Sequence, residues 1–142
     1  MADTAPTKPT HIWIVGVTAL LWNSFGALDY TMTRLKLADL PPAQMAYLDS
    51  FPFWANIGWA FGVWGAFVGS ILLLMRSRHA VTSFGLSLVG LAGNLIWRFV
   101  LSGKDETVLF GANPYPLAAG ILVVAVALCI YAQRQRVAGI LR

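Results

Sequence analysis

Charge is what this sequence most lacks. Of 142 residues, 11% are Asp, Glu, Lys or Arg, against about 25% in soluble domains. So little charge cannot cover a water-facing surface, which excludes a soluble globular domain as well as disorder and fibrous repeats. Cysteine is nearly missing. Cys129 stands alone, so no intrachain disulfide and no Cys-x-x-Cys dithiol chemistry is available. The two histidines, His11 and His79, lie at the rims of apolar segments, which excludes bis-histidine haem inside the spans and offers no metal-ligand spacing. Walker loops, Rossmann fingerprints, Ser-His-Asp arrangements and paired intramembrane carboxylates are also missing. The chain therefore reads as non-enzymatic, with no metal or other cofactor expected.

What the sequence does have is long apolar runs: 58% of its residues are hydrophobic. A bilayer core of ~30 Å needs ~20 apolar residues per helix. Four stretches qualify, at about residues 12–30, 51–75, 80–101 and 108–132. None alternates as a transmembrane β-strand does, and backbone groups in lipid must be satisfied within the segment. The expectation is an all-α, four-helix membrane bundle forming a single domain. A cleavable signal peptide is the competing reading of the first stretch, with Ser24-Phe25-Gly26 as its small-x-small site. Against it, the apolar run continues past that site.

Lys and Arg in the short loops set orientation. Lys8, Arg76, Arg78, Arg134, Arg136 and Arg142 fall on one side, and Arg34, Lys36 and Lys104 on the other. Six against three places both termini in the cytoplasm, residues 1–11 as a flexible lead and 133–142 as a basic tail. The net charge of +4 is thus mostly an orientation signal, and no basic-aromatic interleaving outside the spans supports a nucleic-acid partner. The outer loop holds ADLPPAQMAYLDS, read as a short interfacial helix with Asp39 as its cap and the prolines in its first turn. Leu40, Met45 and Leu48 lie at the lipid interface or close over the bundle. The third connection, SGKDET, reads as a tight polar turn.

Polar residues inside a membrane depart from the cheap choice and so mark function. At ~1.5 Å per residue, Asn23, Asn56, Asn94 and Asn113 all fall in the outer half, one per span. Asp29 and Arg98, the only charges within the spans, share a depth of ~26–27 Å from the inner face. They read as an ion pair, because the planar guanidinium fork grips a carboxylate in a bidentate way. The alternative is that each snorkels separately to the outer headgroups. Ser83, Ser87, Gly90, Asn94 and Arg98 recur on one small, polar face of span three, which should look into the bundle. Span two carries Gly58, Gly62, Gly65 and Gly69, a stripe that lets a helix of this chain or of a second copy approach closely. Of the six tryptophans, Trp22, Trp59 and Trp64 lie deep, either to stack a flat ligand beside the asparagines or to fill space opposite the glycines.

The segments LLWNSFGALDYTMT, FPFWANIGWAFGVWGAFVGSILLLMRSRHAV and YAQRQRVAGILR resemble a group of uncharacterised small four-span proteins of bacterial inner membranes, some labelled "sugar transporter". The resemblance covers most of the chain, implies a multi-pass protein of that membrane, and brings no residue assignments. Two functions remain open. The first is an accessory, structural or assembly component of a larger membrane complex, with second copies or other subunits as partners besides the bilayer. The second is a small oligomeric transporter or ligand-binding protein, with a polar site built from Asn23, Asp29, Asn56, Asn94, Arg98, Asn113, Trp22 and Trp59. A polar cavity reaching the midplane favours the second, and a filled midplane favours the first.

Overall fold

A computed structural model describes residues 9–142; residues 1–8, most of the expected flexible lead and Lys8 with it, lie outside the described residues. Six α-helices run through them: α1 (Thr10–Arg34), α2 (Pro42–Asp49), α3 (Phe53–Leu74), α4 (His79–Ile96), α5 (Glu106–Phe110) and α6 (Tyr115–Val137). A π-helical turn, Trp97–Leu101, extends α4. With that turn included, α1, α3, α4 and α6 are each long and apolar enough to cross a membrane. The protein is an all-helical, multi-pass membrane bundle, and large apolar side chains such as Val89, Val123 and Leu21 face outward on its spans.

Several boundaries differ from the sequence reading, among them the end of the fourth span, which runs on to Val137 into the residues read as the basic tail. The first span runs on to Arg34, because Thr31 Oγ1 donates back to Ala27 O within the helix (2.7 Å) and Arg34 reaches across to Asn56 Oδ1. The fourth span starts at Tyr115, not near residue 108. Gly111, at φ 68°, ends α5 in the left-handed conformation, and Pro114 and Pro116 flank the first residue of α6, where a missing N–H does no harm. Asn113 consequently sits in a connection, where its Oδ1 accepts the Tyr115 N–H at 3.0 Å. In the outer loop the prolines open α2 as expected, but Asp39 does not cap it. Pro41 holds the cap position, and no side chain supplies the hydrogen bond.

The helix neighbours are α1 with α3, α3 with α4 and α4 with α6. The α3–α4 interface is the most extensive, and glycine makes it so. A Cβ on Gly58 would stand 2.7 Å from Gly90 O, and one on Gly90 would stand 2.6 Å from Gly58 O. Such separations exclude any side chain. Ser83 Oγ donates to Gly65 O (2.7 Å), Ser87 Oγ to Gly62 O (2.6 Å) and Asn94 Nδ2 to Ala55 O (3.3 Å). Gly69 meets the Phe84 ring. The glycine stripe therefore lies against the small, polar face of α4 within this chain.

By contrast, α1 and α6 touch little along their lengths. They meet where α1 begins and α6 finishes, with His11 Nδ1 and the Tyr131 hydroxyl hydrogen-bonded at 2.6 Å. There Ile12, Ala19, Leu73, Phe84, Leu128 and Ala132 form a dry core. The basic tail is docked to that end. Leu141 is buried, Arg142 N donates to Arg76 O (2.8 Å), and Arg78 N donates to Arg142 O (3.0 Å). The bundle is thus closed at this end and splayed at the other.

Candidate functional site

The splayed half of the bundle encloses a cavity of about 750 Å³. The inner face of α1 supplies Trp22, Asn23, Gly26, Asp29 and Thr33, and α4 supplies Ser87, Leu91, Asn94 and Arg98. From α6 come Leu117, Ile121, Val124 and Leu128, and Trp59 and Val63 come from α3. Helical spacing accounts for this: residues three and four apart share a face, and each helix turns one such stripe inward. Deep in the bundle the cavity reaches Phe84 and Ser87, and at the splayed end it meets Leu40, Leu48, Phe51, Glu106 and Phe110. The α2 segment and α5 therefore form its roof. Leu40 and Leu48 close over the bundle, one of the two placements open to them from sequence.

A second opening faces sideways. Phe25 and Leu117 both border the cavity, yet they are 71% and 64% exposed. They lie on α1 and α6, the two spans that barely touch. The cavity therefore opens laterally between these helices, where acyl chains would lie.

The polar groups at the roof are arranged differently from the expected Asp29–Arg98 pair. Arg98 instead grips Glu106 with both arms of its fork, Nε to Oε1 at 2.8 Å and Nη2 to Oε2 at 2.5 Å. The Tyr47 hydroxyl donates to the same Oε1 at 2.6 Å. Asp29 has no cation within ion-pair distance among the described residues. The reason is geometric: α1 and α4 are not neighbours but lie diagonally across the cavity, whereas α5 folds back onto the end of α4 after a short turn. Glu106 is 3% exposed and Tyr47 5%. Burial by itself would raise the Glu106 carboxyl, but the hydrogen bonds from Arg98 and Tyr47 outweigh it and hold the group below its ordinary value. Burial, and then the bond to Glu106, push the Tyr47 phenol up to about 12. The triad ties α2, α5 and the end of α4 together, and the π-turn places Arg98 for it. Ser102 N donates to Trp97 O at 2.8 Å, a wide turn of the kind that re-aims side chains at functional positions.

Of the residues singled out from sequence, Trp22, Asn23, Asp29, Trp59, Asn94, Arg98 and Asn113 border this cavity. Asn23 also ties α1 to α3, its Nδ2 donating to Ser70 Oγ (2.9 Å) and Ala66 O (3.3 Å). Asn56 stands outside. It accepts from Arg34 and donates to Phe51 O (2.9 Å), pinning the splayed ends of α1 and α3. Sequence reasoning missed Glu106 and Tyr47. The available signal was a carboxylate eight positions after the arginine at the end of the third span, with Ser102-Gly103 between to turn the chain.

Chemically, the site can hold a molecule with an apolar body and a polar end. Its walls are mostly aromatic and aliphatic, and its polar atoms gather at the roof and at Asn23, Ser87 and Asn94. Among the described residues, no three His, Cys, Asp or Glu side chains group so as to hold a metal ion. Comparison with protein-family profiles, with curated proteins and with solved structures finds no match to this chain.

Proposed function

We propose that this protein is a non-enzymatic membrane protein that binds a small amphipathic molecule in the cavity between α1 and α6. The observation carrying this reading is a cavity of about 750 Å³ that runs from a polar roof to Ser87 and opens sideways between two spans. Ligand sites are typically concave, mainly apolar and ~300–1,000 Å³, with a few placed polar groups. A scaffold built only to pack would fill this space. The glycine stripe, which suited a docking role toward a second copy or another subunit, is used up between α3 and α4. That leaves the accessory-component reading resting on the outward apolar faces, which lipid covers equally well. The loop charges favour both chain ends in the cytoplasm, and the resemblance noted from sequence implies a bacterial inner membrane.

Gly26 supplies the test. It borders the cavity, and a Cβ there meets nothing within 4 Å, so Gly26→Phe should obstruct the cavity beside Asp29 without disturbing the fold. Both proteins are purified in mild detergent, and retained small molecules and proteins are identified by mass spectrometry. A compound held by the parent and lost from Gly26→Phe is the expected result. If instead a stoichiometric protein partner co-purifies with both forms and no small molecule distinguishes them, the accessory role replaces this reading.

A further inference from the structure

Resting on the ligand-binding reading above, we infer that the occupant of the cavity is an organic cation with an apolar or aromatic body, and that Asp29 is its counter-ion.

Charge at the cavity border carries the argument. Among the described residues, three charged side chains reach it: Asp29, Arg98 and Glu106. Arg98 and Glu106 neutralise one another through a bidentate pair that engages the Nε–Nη2 edge of the guanidinium. What remains is the single negative charge of Asp29. An ionised side chain in a membrane span is costly unless something pairs with it. The next cation along its own helix, Arg34, is engaged elsewhere, bonded to Asn56 and lying 5.4 Å from the centre of the Trp59 ring. Lys36, just beyond the helix, is paired with Asp49 at 3.2 Å.

The neighbours of Asp29 specify the rest of the molecule. Phe25 and Trp22 stand four and seven positions before it, on the same face of α1, and both border the cavity. Aromatic faces attract cations, and most strongly away from water. One face of Trp59 already carries Arg34, whereas Trp22 and Phe25 are the cavity-bordering rings on Asp29's own helix face. A cationic head at Asp29 thus places its body along Phe25 and Trp22 toward the middle of the bundle. Entry is from the bilayer, through the gap beside Phe25 and Leu117. An anion would meet the Asp29 carboxylate, and the arginine at the cavity border is already neutralised by Glu106.

The test uses the whole protein in lipid nanodiscs, with empty discs subtracted, and calorimetric titration of three probes. These are benzyltrimethylammonium, its uncharged carbon isostere neopentylbenzene, and phenylmethanesulfonate. The ammonium should bind at least about tenfold more tightly than the isostere, and the sulfonate should bind least. Asp29→Asn should abolish the preference for the ammonium while leaving neopentylbenzene binding unchanged, which also shows that the variant is folded. Asp29→Glu should keep the preference. Equal affinity for ammonium and isostere, a preference that survives Asp29→Asn, or tighter binding of the sulfonate would overturn the cation assignment and leave the cavity reading standing. If the parent protein binds none of the three, the cavity reading falls and this inference with it.

Discussion

At the scale of single residues, the arrangement turns on which carboxylate Arg98 holds. Glu106 is almost fully buried and receives both arms of the guanidinium. Removing Arg98 leaves a buried charge whose remaining side-chain donor is Tyr47. Loss of one partner of a buried pair costs ~3–5 kcal/mol, less where water can reach it. Arg98→Gln should therefore destabilise the protein by a large part of that amount, and adding Glu106→Gln should restore some of it. A double-mutant cycle on thermal unfolding in detergent should give a coupling of at least ~0.5 kcal/mol for Arg98 with Glu106, and additivity within that margin for Arg98 with Asp29. Coupling to Asp29 instead would contradict the geometry. Depth counting brought Asp29 and Arg98 together because both lie equally far along their helices. What it could not supply is the azimuth, the side of the bundle each helix turns to the other, and azimuth follows from helix order. Asn23 and Asn94 needed no such information, since a polar residue deep in a span faces inward whichever neighbour it has.

Among the elements, α3 and α4 are the pair whose packing the sequence announced. Four glycines on one stripe and a facing series of small, polar residues admit close approach and little else. The structure adds the partners: each stripe meets the other, down to backbone separations that leave no room for a methyl group. Gly90→Ala should therefore overpack the interface and destabilise by ~1–3 kcal/mol. Gly85→Ala, on the same helix but with nothing within 4 Å of the added carbon, should be neutral or favourable by up to ~1 kcal/mol through helix propensity. Chemical denaturation in mixed micelles separates the two, and equal effects would argue against the contact. The ends of elements were less legible than their middles. Residues 108–112 are apolar, so hydropathy alone extended the fourth span over α5. Gly111 and the prolines around Tyr115 are the residues that divide it, acting through backbone conformation and not through polarity.

For the molecule as a whole, four spans and their outward apolar surfaces follow from composition. The splay does not, because it depends on which helices are absent from each other's company. The loop charges predict that the end carrying Arg76 and Arg78 faces the cytoplasm. In a Cys129→Ser background, a cysteine at Ser77 should resist an impermeant thiol reagent added to intact cells, and one at Thr107 should react; the reverse pattern would invert the topology. The uneven packing has a mechanical consequence. The α3–α4 pair, held by glycine contacts and serine-to-carbonyl bonds, acts as a stiff spine. From it α1 and α6 hang as separate leaves, joined to each other at one end only. Widening the gap between the leaves breaks no contact in the spine. The least-packed seam of the molecule is thus the one between these two leaves, and under the proposed ligand-binding reading it is where a guest of larger girth would be accommodated.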